Sequence, residues 1–560
     1  MTVSLTDIIS YKRLIAAGNS KLYYEGTGVS AGTMTELVTS GYTIDTTDQL
    51  NMFEAFQKVF VVNGSKLGVA DFINTKVTDT GGFTTKPTKG QTLYQAGAVP
   101  ATIIVDYISG TDKVLYGYVA SGTLEATTDI TTAVSGGGTK VFDTPSAPTA
   151  KPHWYQWTSY DEDTTTYGTM PAKAYLGCLY RGRAVLSGNP NSPNQWYMTR
   201  IAHPYDFNYS ATDAMSAVAG QDADAGELGD IIRALIPYKD DILLFGCATS
   251  MWYLRGDPMS GGSIDSFDLT VGIFGANSWC IDGEGSFYFW GSGGIYRSSI
   301  EGGVISKPSL ITGILLPNII KDTAADPSTH RICMGYDRKR LGIVITITKL
   351  SDGTSSNWWY DLRTQGTPYR QLQIDGGFFP ESYPTASGAY SLYNYQANDP
   401  DYSDLLLGCK DGYIRKFNDS LKGDNTTADD PGVATTMINS YVGMVQQLGD
   451  AEDREGRLNS LTITTAGGVT GTSFADTDSL NYELHRGNNA ETVWENMIDG
   501  ATAQETGTIT GVGRQNRIRK RVKGACLGIK LYDNTTVAET LTTWAIEKLT
   551  GEVLPAGKVK

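Results

Sequence analysis

The residue types that most often perform acid–base or metal chemistry are few and scattered in this chain. The four histidines are His153, His203, His330 and His485, and no two have the spacing of a metal-binding pair. The sequence contains neither an H-E-x-x-H motif nor a Walker phosphate loop. We therefore expect no catalytic residue, no metal site and no cofactor, and we predict that the protein is not an enzyme.

Two clusters of carboxylates are the next candidates for ligand chemistry. One occupies residues 161–163, and the other consists of Asp222, Asp224, Glu227 and Asp230. Oxygen ligands on a loop can bind calcium, but neither cluster has the central glycine and final glutamate of an EF-hand loop. We favour solvated acidic loops, and we assign the second cluster to an acidic loop or a channel surface.

One basic cluster stands out in an otherwise acidic chain. Its members are Arg514, Arg517, Arg519, Lys520, Arg521 and Lys523. Such a cluster could bind nucleic acid, or it could keep the edge of a sheet soluble through its charge. It could also contact the acidic face of a neighbouring subunit. We favour the last two interpretations together and treat the cluster as a candidate subunit interface.

Three tryptophans lie in segments rich in proline and asparagine. They are Trp154, Trp157 and Trp196. Tryptophan and tyrosine often anchor protein interfaces, so these residues are interface candidates. The same residues could equally belong to a core between packed sheets, and the sequence does not distinguish the two possibilities.

Composition restricts the class of partner. The 560 residues carry a net charge of −15 at pH 7, which argues against a sequence-independent grip on nucleic acid. The six cysteines occur singly, mostly beside apolar runs, and are expected to be buried free thiols. No apolar run reaches the roughly 18 residues of a membrane span, and the N-terminus has no export signal pattern. We expect synthesis in a cytoplasm and no membrane insertion.

The elements that would position these residues are strands. A short apolar strand, a small-residue turn and a second aromatic-rich strand recur at residues 241–254, 286–297 and 404–415, with a further copy at 58–69. Repeated strand pairs of this kind predict the blades of a β-propeller. The fold class is therefore all-β, an irregular propeller of about six to eight blades, while residues 7–17 are predicted to form a short helix.

The chain divides into four predicted regions. Residues 1–74 supply the N-terminal segment and first propeller strands, and residues 75–150 form a small inserted β module that contains a hairpin. Residues 151–430 carry the main blades. Residues 431–560 alternate apolar and polar positions, which predicts a C-terminal antiparallel β-sandwich that closes the propeller.

One stretch resembles a known family. Residues 194–207 read Asn-Gln-Trp-Tyr-Met-Thr-Arg-Ile-Ala-His-Pro-Tyr-Asp-Phe, an aromatic strand that runs into a Pro-x-Asp-Phe turn. With the segments that follow, to about residue 300, it resembles the β-propeller tail nozzle, or tail hub, of short-tailed bacteriophages. The match covers residues 175–300 well and the C-terminal third loosely, and the inserted module is not part of it.

The resemblance implies a virion structural protein located in the tail and assembled in the host cytoplasm. Proteins of that family form a homohexameric ring beneath the portal and its head-to-tail adaptor. The ring extends the DNA channel, lets double-stranded DNA pass without specific binding, and anchors fibre, spike or needle proteins. The alternative is a carbohydrate-binding or glycan-cleaving propeller on a virion or cell surface.

Overall fold

The structure, a computed structural model, describes every residue except 1, 6–10, 27–33, 38–41, 134–137, 221–225, 227, 302–303, 364–376, 385–386, 398–399, 401–402, 419–422, 425–435, 439, 450–453, 466–478, 510–514, 534–543 and 559–560. The chain forms two compact units, Met1–Phe417 (unit 1) and Asn418–Lys560 (unit 2).

In the described part of unit 1, seven antiparallel sheets of three or four strands follow one another along the chain, and we call them blades 1 to 7. Strands are labelled in chain order. Blade 1 consists of β1 (Thr2–Leu5), β2 (Tyr11–Gly18), β3 (Lys21–Glu25) and β4 (Met34–Glu36). Blade 2 consists of β5 (Asn51–Ala55), β6 (Lys58–Asn63), β7 (Lys66–Asp71) and β14 (His153–Gln156).

The inserted module separates β7 from β14 within blade 2. Its six-stranded sheet has the order β13-β12-β9-β10-β11-β8. These strands are β8 (Thr75–Thr78), β9 (Thr92–Gln95), β10 (Ala101–Ser109), β11 (Val114–Ser121), β12 (Ile130–Thr131) and β13 (Lys140–Phe142). β10 and β11 form the predicted hairpin.

The remaining blades are antiparallel meanders of three or four strands. Blade 3 consists of β15 (Leu176–Tyr180), β16 (Arg183–Asn189), β17 (Ser192–Met198) and β18 (Val218–Ala219). Blade 4 consists of β19 (Ile232–Lys239), β20 (Ile242–Cys247), β21 (Met251–Arg255) and β22 (Ser263–Asp268). Blade 5 is β23 (Trp279–Ile281), β24 (Phe287–Gly291), β25 (Gly294–Ser298) and β28 (Ser309–Leu310), with a side hairpin of β26 (Ile300–Glu301) and β27 (Val304–Ile305). Blade 6 consists of β29 (His330–Asp337), β30 (Gly342–Lys349), β31 (Ser355–Asp361) and β32 (Gly377–Glu381). Blade 7 consists of β33 (Ala389–Asn394), β34 (Leu405–Cys409) and β35 (Ile414–Lys416). Among the described residues of unit 1, the helices are α1 (Thr164–Tyr167), α2 (Thr312–Leu315) and α3 (Ile319–Thr323), with 3₁₀ turns at Tyr160–Glu162 and Pro258–Ser260.

Blades 2 to 6 bury both faces of a central strand, which explains why that strand reads as a continuous apolar run. On β20, Leu243 and Phe245 pack toward blade 3, whereas Ile242 and Leu244 pack toward blade 5. Successive side chains of a strand point to opposite faces, so one run supplies two separate cores. Blade 7 is linked back to blade 1, because the Tyr395 hydroxyl donates a hydrogen bond to the Glu25 carboxylate on β3. This is the predicted irregular propeller, with seven blades.

The predicted helix over residues 7–17 is wrong, because residues 11–18 form strand β2. Ile15 lies opposite Tyr24 of β3, and Leu14 lies opposite Thr2 of β1. Ile15 is buried between blades 1 and 2. Pairing on both sides supplies the backbone hydrogen bonds that a short helix would otherwise make locally, so tertiary context overrides the weak helical preference.

The described residues of unit 2 form a two-sheet sandwich with one helix, preceded by a short hairpin of β36 (Gly423–Asp424) and β37 (Thr436–Met437). The first sheet has the order β38-β44-β40-β41, formed by Tyr441–Gln447, Cys526–Asp533, Leu480–Gly487 and Glu505–Ile509. In the second sheet, β42 (Gln515–Ile518) and β43 (Val522–Gly524) pair with β39 (Arg454–Thr465), as does β45 (Ile546–Lys558). Apolar residues from both sheets form one core.

Helix α4 (Ala490–Ile498) covers the outer face of the first sheet of unit 2. The Asn489 side chain caps its N-terminus by accepting a hydrogen bond from the Thr492 N–H at 2.7 Å. Val493 and Met497 are its buried residues, and they rest on glycines of the sheet. A Cβ atom at Gly528 would lie 2.7 Å from a Val493 methyl carbon, so the close approach requires glycine there.

Candidate functional sites

The basic cluster lies along the β42–β43 side of unit 2. Arg517, Arg519, Arg521 and Lys523 are exposed, whereas the intervening Ile518 and Val522 are buried and pair with β39. This alternation comes from the strand geometry, in which every second side chain faces solvent. Arg514 lies outside the described residues.

Three members of the basic cluster are neutralised within their own unit. Arg517 pairs with Glu552 at 3.2 Å, Lys520 with Glu505 at 2.8 Å and Lys523 with Glu455 at 2.7 Å. Arg519 and Arg521 have no ion pair with any carboxylate in the described part of the chain. We call these two side chains the free arginine pair. They present positive charge to solvent from a chain whose net charge is negative.

Of the second acidic cluster, only Asp230 falls within the described residues, while Asp222, Asp224 and Glu227 do not. The Asp230 carboxylate accepts hydrogen bonds from the Thr249 N–H and hydroxyl at 2.8 Å and from the Ser250 hydroxyl at 2.9 Å. Partial burial by itself would raise the pKa of Asp230, but these hydrogen bonds outweigh it and lower that pKa. Asp230 therefore stabilises the turn between β20 and β21.

The first acidic cluster is not a solvated loop, which corrects that expectation. The Glu162 carboxylate accepts a hydrogen bond from the Gly110 N–H of the module at 2.8 Å. Asp161 pairs with Lys86 of the module, and Asp163 caps α1. Asp161 and Glu162 therefore join the module to the connection between blades 2 and 3. Among the described residues, no group of three or more potential ligand side chains could hold a metal ion.

The three tryptophans lie in the cores between blades. Of the two interpretations that the sequence left open, the one that places them in a core therefore holds. Trp154 packs between blades 1 and 2, Trp157 between blade 2 and blade 3, and Trp196 between blades 3 and 4. Trp196 is fully buried, and the Trp157 indole N–H donates to the Pro204 carbonyl at 2.8 Å. They have no exposed surface with which to anchor another subunit.

A buried arginine connects blade 3 to blade 4. Arg183 opens β16, and Asp257 belongs to the Gly-Asp-Pro segment after β21. The guanidinium is fully buried and binds the Asp257 carboxylate through Nε at 2.9 Å and Nη2 at 3.1 Å. Its remaining donors reach the carbonyl groups of Thr199, Ala214, Met215 and Ser216. This fork of donors fastens blade 3 to blade 4.

A second buried charged group lies between blade 2 and the module, and sequence reasoning missed it. Lys58 Nζ is 3.7 Å from an Asp71 oxygen and also contacts the Asp106 carboxylate of β10. Lys89 Nζ lies 3.0 Å from Asp106, and the Asn74 amide donates to both carboxylates at 2.6 and 2.9 Å. Two lysines and two aspartates balance one another, which makes their burial tolerable.

Stacked tyrosines surround this charged group. The Tyr205 hydroxyl accepts from Lys58 at 3.2 Å and lies 3.0 Å from the Tyr155 hydroxyl. Tyr107 stacks on Tyr205 with ring centroids 4.5 Å apart. Burial raises the pKa of all three phenols and lowers the pKa of Lys58. The only sequence feature that indicates this buried charged group is a charged residue at the end of each apolar run, at positions 58 and 71.

Other titratable groups are also withdrawn from solvent. All six cysteines are free and buried, which confirms the expectation from their spacing, and burial raises the pKa of Cys247 and Cys333 to about 12. Burial lowers the pKa of His203 to about 3, so that imidazole is neutral. In the part of the chain that the structure describes, no helix is long and apolar enough to cross a membrane.

One open groove of about 500 Å³ lies beside blade 6. Helices α2 and α3 form one wall, with Asn318 and Asp322 among the lining residues. The other wall belongs to β30 and β31 and includes Lys349, Ser356 and Trp358. An aromatic side chain beside hydroxyl, amide and carboxylate groups is a common composition for small polar ligand sites.

Comparisons with known proteins identify no family. No family model matches the chain, and no curated protein matches it. Among solved structures, an extracellular domain of B. thetaiotaomicron assigned to a one-component system matches with a TM-score of 0.28 and 11% identity. The same domain, assigned to a hybrid two-component system, gives the same TM-score and identity. Each match covers 91% of this chain and 63% of the other, so this chain spans less than two thirds of their length. At this TM-score the likeness supports no argument about fold or function.

Proposed function

We propose that this protein is a structural subunit of the tail of a short-tailed phage, a nozzle or hub that assembles into a ring. The ring would extend the DNA channel below the adaptor and anchor fibre, spike or needle proteins. The resemblance of residues 194–207 and the segments after them supports this assignment, as does the propeller on which those segments lie. Subunits that each carry a net charge of −15 would repel the negative DNA backbone and let the DNA pass.

The observation that carries the proposal is the free arginine pair. In an acidic chain, two exposed guanidinium groups without a carboxylate partner among the described residues favour contact with the negative surface of another copy. A ring needs heterologous contacts, in which one face of a subunit meets a different face of the next. Arginine suits such a contact because its planar fork binds carboxylates through two hydrogen bonds.

The proposal is tested by measuring the mass of the purified full chain, alone and with extracts that contain the adaptor. We expect a species of six times the 60.4 kDa chain mass, and we expect it to dissociate as salt is raised. Replacing both Arg519 and Arg521 by Glu should weaken this assembly. A matched control replaces the exposed Lys66 and Lys173 of unit 1 by Glu, which changes net charge equally.

Two results would count against the proposal. One is a chain that stays monomeric at all concentrations and never joins purified phage particles. The other is equal weakening by the arginine variant and its control, because net repulsion rather than a specific contact would then explain the effect.

The groove beside blade 6 favours one alternative, binding of a carbohydrate. Sugar rings commonly stack on tryptophan while hydroxyl, amide and carboxylate groups bind their hydroxyls. Glycan-array screening of the wild-type chain and a Trp358→Ala variant tests it directly. Binding that is lost in the variant, by a chain that remains monomeric, would favour the alternative over the ring.

A further inference from the structure

Strand β38 is an edge strand with one side of its backbone unused. It pairs with β44 alone, with Gln447 opposite Cys526 and no irregularity in register. Just beyond its ends, the Leu448 N–H donates to the Ala525 carbonyl at 2.8 Å, and the Asp533 N–H donates to the Ser440 carbonyl at 3.1 Å. These two contacts identify the even-numbered residues as the ones hydrogen-bonded to β44.

The odd-numbered residues of β38 must therefore direct their backbone groups away from β44. Antiparallel pairs alternate between hydrogen-bonded and non-hydrogen-bonded positions. The outward residues are Tyr441, Gly443, Val445 and Gln447, and each directs one N–H and one carbonyl group away from β44, although the Gln447 carbonyl also accepts a hydrogen bond from the Gln446 side-chain amide at 3.4 Å. Among the described residues, none forms a backbone hydrogen bond with these groups.

β38 also lacks the features that normally prevent edge pairing. Its sequence is Tyr-Val-Gly-Met-Val-Gln-Gln, with neither a charge nor a proline, and most of it is exposed. By contrast, β45 carries Glu547, Lys548, Glu552 and Pro555, and the β42–β43 side carries the basic cluster. Charged residues and prolines on an edge strand discourage pairing with other chains, and their absence invites it.

The opposite edge of the same sheet supplies a matching partner. The order β38-β44-β40-β41 is antiparallel throughout, so β38 and β41 run in opposite directions. If copies are placed side by side in one orientation, β41 of one copy therefore meets β38 of the next as an antiparallel neighbour. Such a contact joins two different edges, which is the heterologous geometry that closes a ring.

The β41 side of this sheet lies near basic residues, whereas the helix that packs on β38 carries acidic residues. Lys520, between the two free arginines, reaches Glu505 at the start of β41, so the basic cluster lies on the β41 side. Helix α4 packs on β38, β44 and β40 and carries Glu491 and Glu495, with Asp499 directly after it and no basic residue in its last turn. Head-to-tail neighbours would therefore bring a basic side toward an acidic side.

We propose that β38 is an assembly edge, to which β41 of a second copy of this chain adds as a fifth strand. This inference rests on the proposed ring and names the surface that builds it. Backbone hydrogen bonds would supply the affinity, and the free arginine pair would lie near the junction.

The test is a Val445→Pro variant of the full chain, with Val445→Thr as its matched control. Proline removes the outward N–H and blocks the approach of another strand, but it removes no hydrogen bond to β44. Threonine keeps the N–H and the β-branched shape. We expect proline to lower the association constant by about tenfold or more, because it removes a hydrogen bond and adds steric conflict. The threonine variant should stay within about twofold.

Hydrogen–deuterium exchange of assembled and dissociated protein identifies the strands involved. We expect amides of 441–447 and 505–509 to gain protection together on assembly. Thermal unfolding of each variant, compared with wild type, separates loss of assembly from loss of folding.

Three outcomes would overturn the inference. In the first, the ring forms but Val445→Pro assembles like wild type, and the phage-tail proposal survives without this edge. In the second, assembly stops at a dimer in which only 441–447 is protected, so that β38 pairs with its own copy. In the third, wild-type protein never assembles, and both proposals fail.

Discussion

Replacing Asp257 by Asn should destabilise unit 1 far more than the same change at Asp213. Both carboxylates accept an arginine N–H at 2.9 Å, from Arg183 and Arg200 respectively. Both also accept a backbone N–H two residues further on at 2.9 Å. The two sites differ in burial, because the Asp257 side chain is 7% exposed and the Asp213 side chain is 52% exposed.

The magnitude follows from what remains after the substitution. At Asp257 an uncharged amide would leave the fully buried Arg183 guanidinium among neutral carbonyl groups, with no counter-charge. Breaking a buried pair in this way typically costs about 3–5 kcal/mol. At the exposed Asp213 site, water and salt already screen the interaction, so we expect a much smaller loss of stability there.

Urea unfolding of the full chain, followed by tryptophan fluorescence, measures both free energies. The slope of the transition should match wild type, so that the midpoint reports stability alone. Raising the ionic strength should reduce the already small effect at Asp213 and leave the effect at Asp257 nearly unchanged. Equal costs at the two sites would refute the reasoning, because burial would then not determine the strength of the pair.

Three further predictions concern packing, thiols and phenols. Gly528→Ala should destabilise unit 2 by about 1–3 kcal/mol in a chemical unfolding experiment, because its methyl group would collide with Val493, whereas Gly551→Ala, with its nearest atom 3.5 Å away, should cost at most about 0.5 kcal/mol. Ellman's reagent at pH 8 should label fewer than one thiol per native chain and all six after denaturation, and rapid native labelling would contradict their burial. Because burial raises the pKa of Tyr155 and Tyr205 in the folded state, their contribution to stability is present below the unfolded pKa of about 10 and is lost as pH rises through the folded values. Absorbance at 295 nm should therefore show these phenols ionising only together with unfolding, and smooth reversible ionisation at pH 10 would contradict the prediction.

Strand positions were largely predictable because they depend on local chemistry. Both faces of blades 2 to 6 are covered, so their central strands read as apolar runs, and small residues mark the turns between strands. The exception is β2, whose local sequence is compatible with a helix. Its backbone pairs with β1 and β3, and no local pattern reports such pairing.

The buried charges could not be predicted, because their partners are distant in sequence. Arg183 and Asp257 are 74 positions apart, and Lys58 and Asp106 are 48 apart. Each residue by itself resembles an ordinary charge near a turn. Which charges meet is determined only when blade packs against blade and the module packs against its blade. The same packing excludes the water that would otherwise solvate these charges.

The sequence by itself determined that the chain is all-β, that strand pairs repeat along it, that its thiols are single and that its one basic cluster is near the C-terminus. These properties follow from residue type and short-range periodicity, which act before distant segments meet. The tertiary structure decided that the tryptophans belong to cores, that two arginines of the basic cluster keep no carboxylate partner among the described residues, and that β38 has an unguarded edge. Those outcomes depend on which surfaces are covered, and coverage is a property of the assembled sheets.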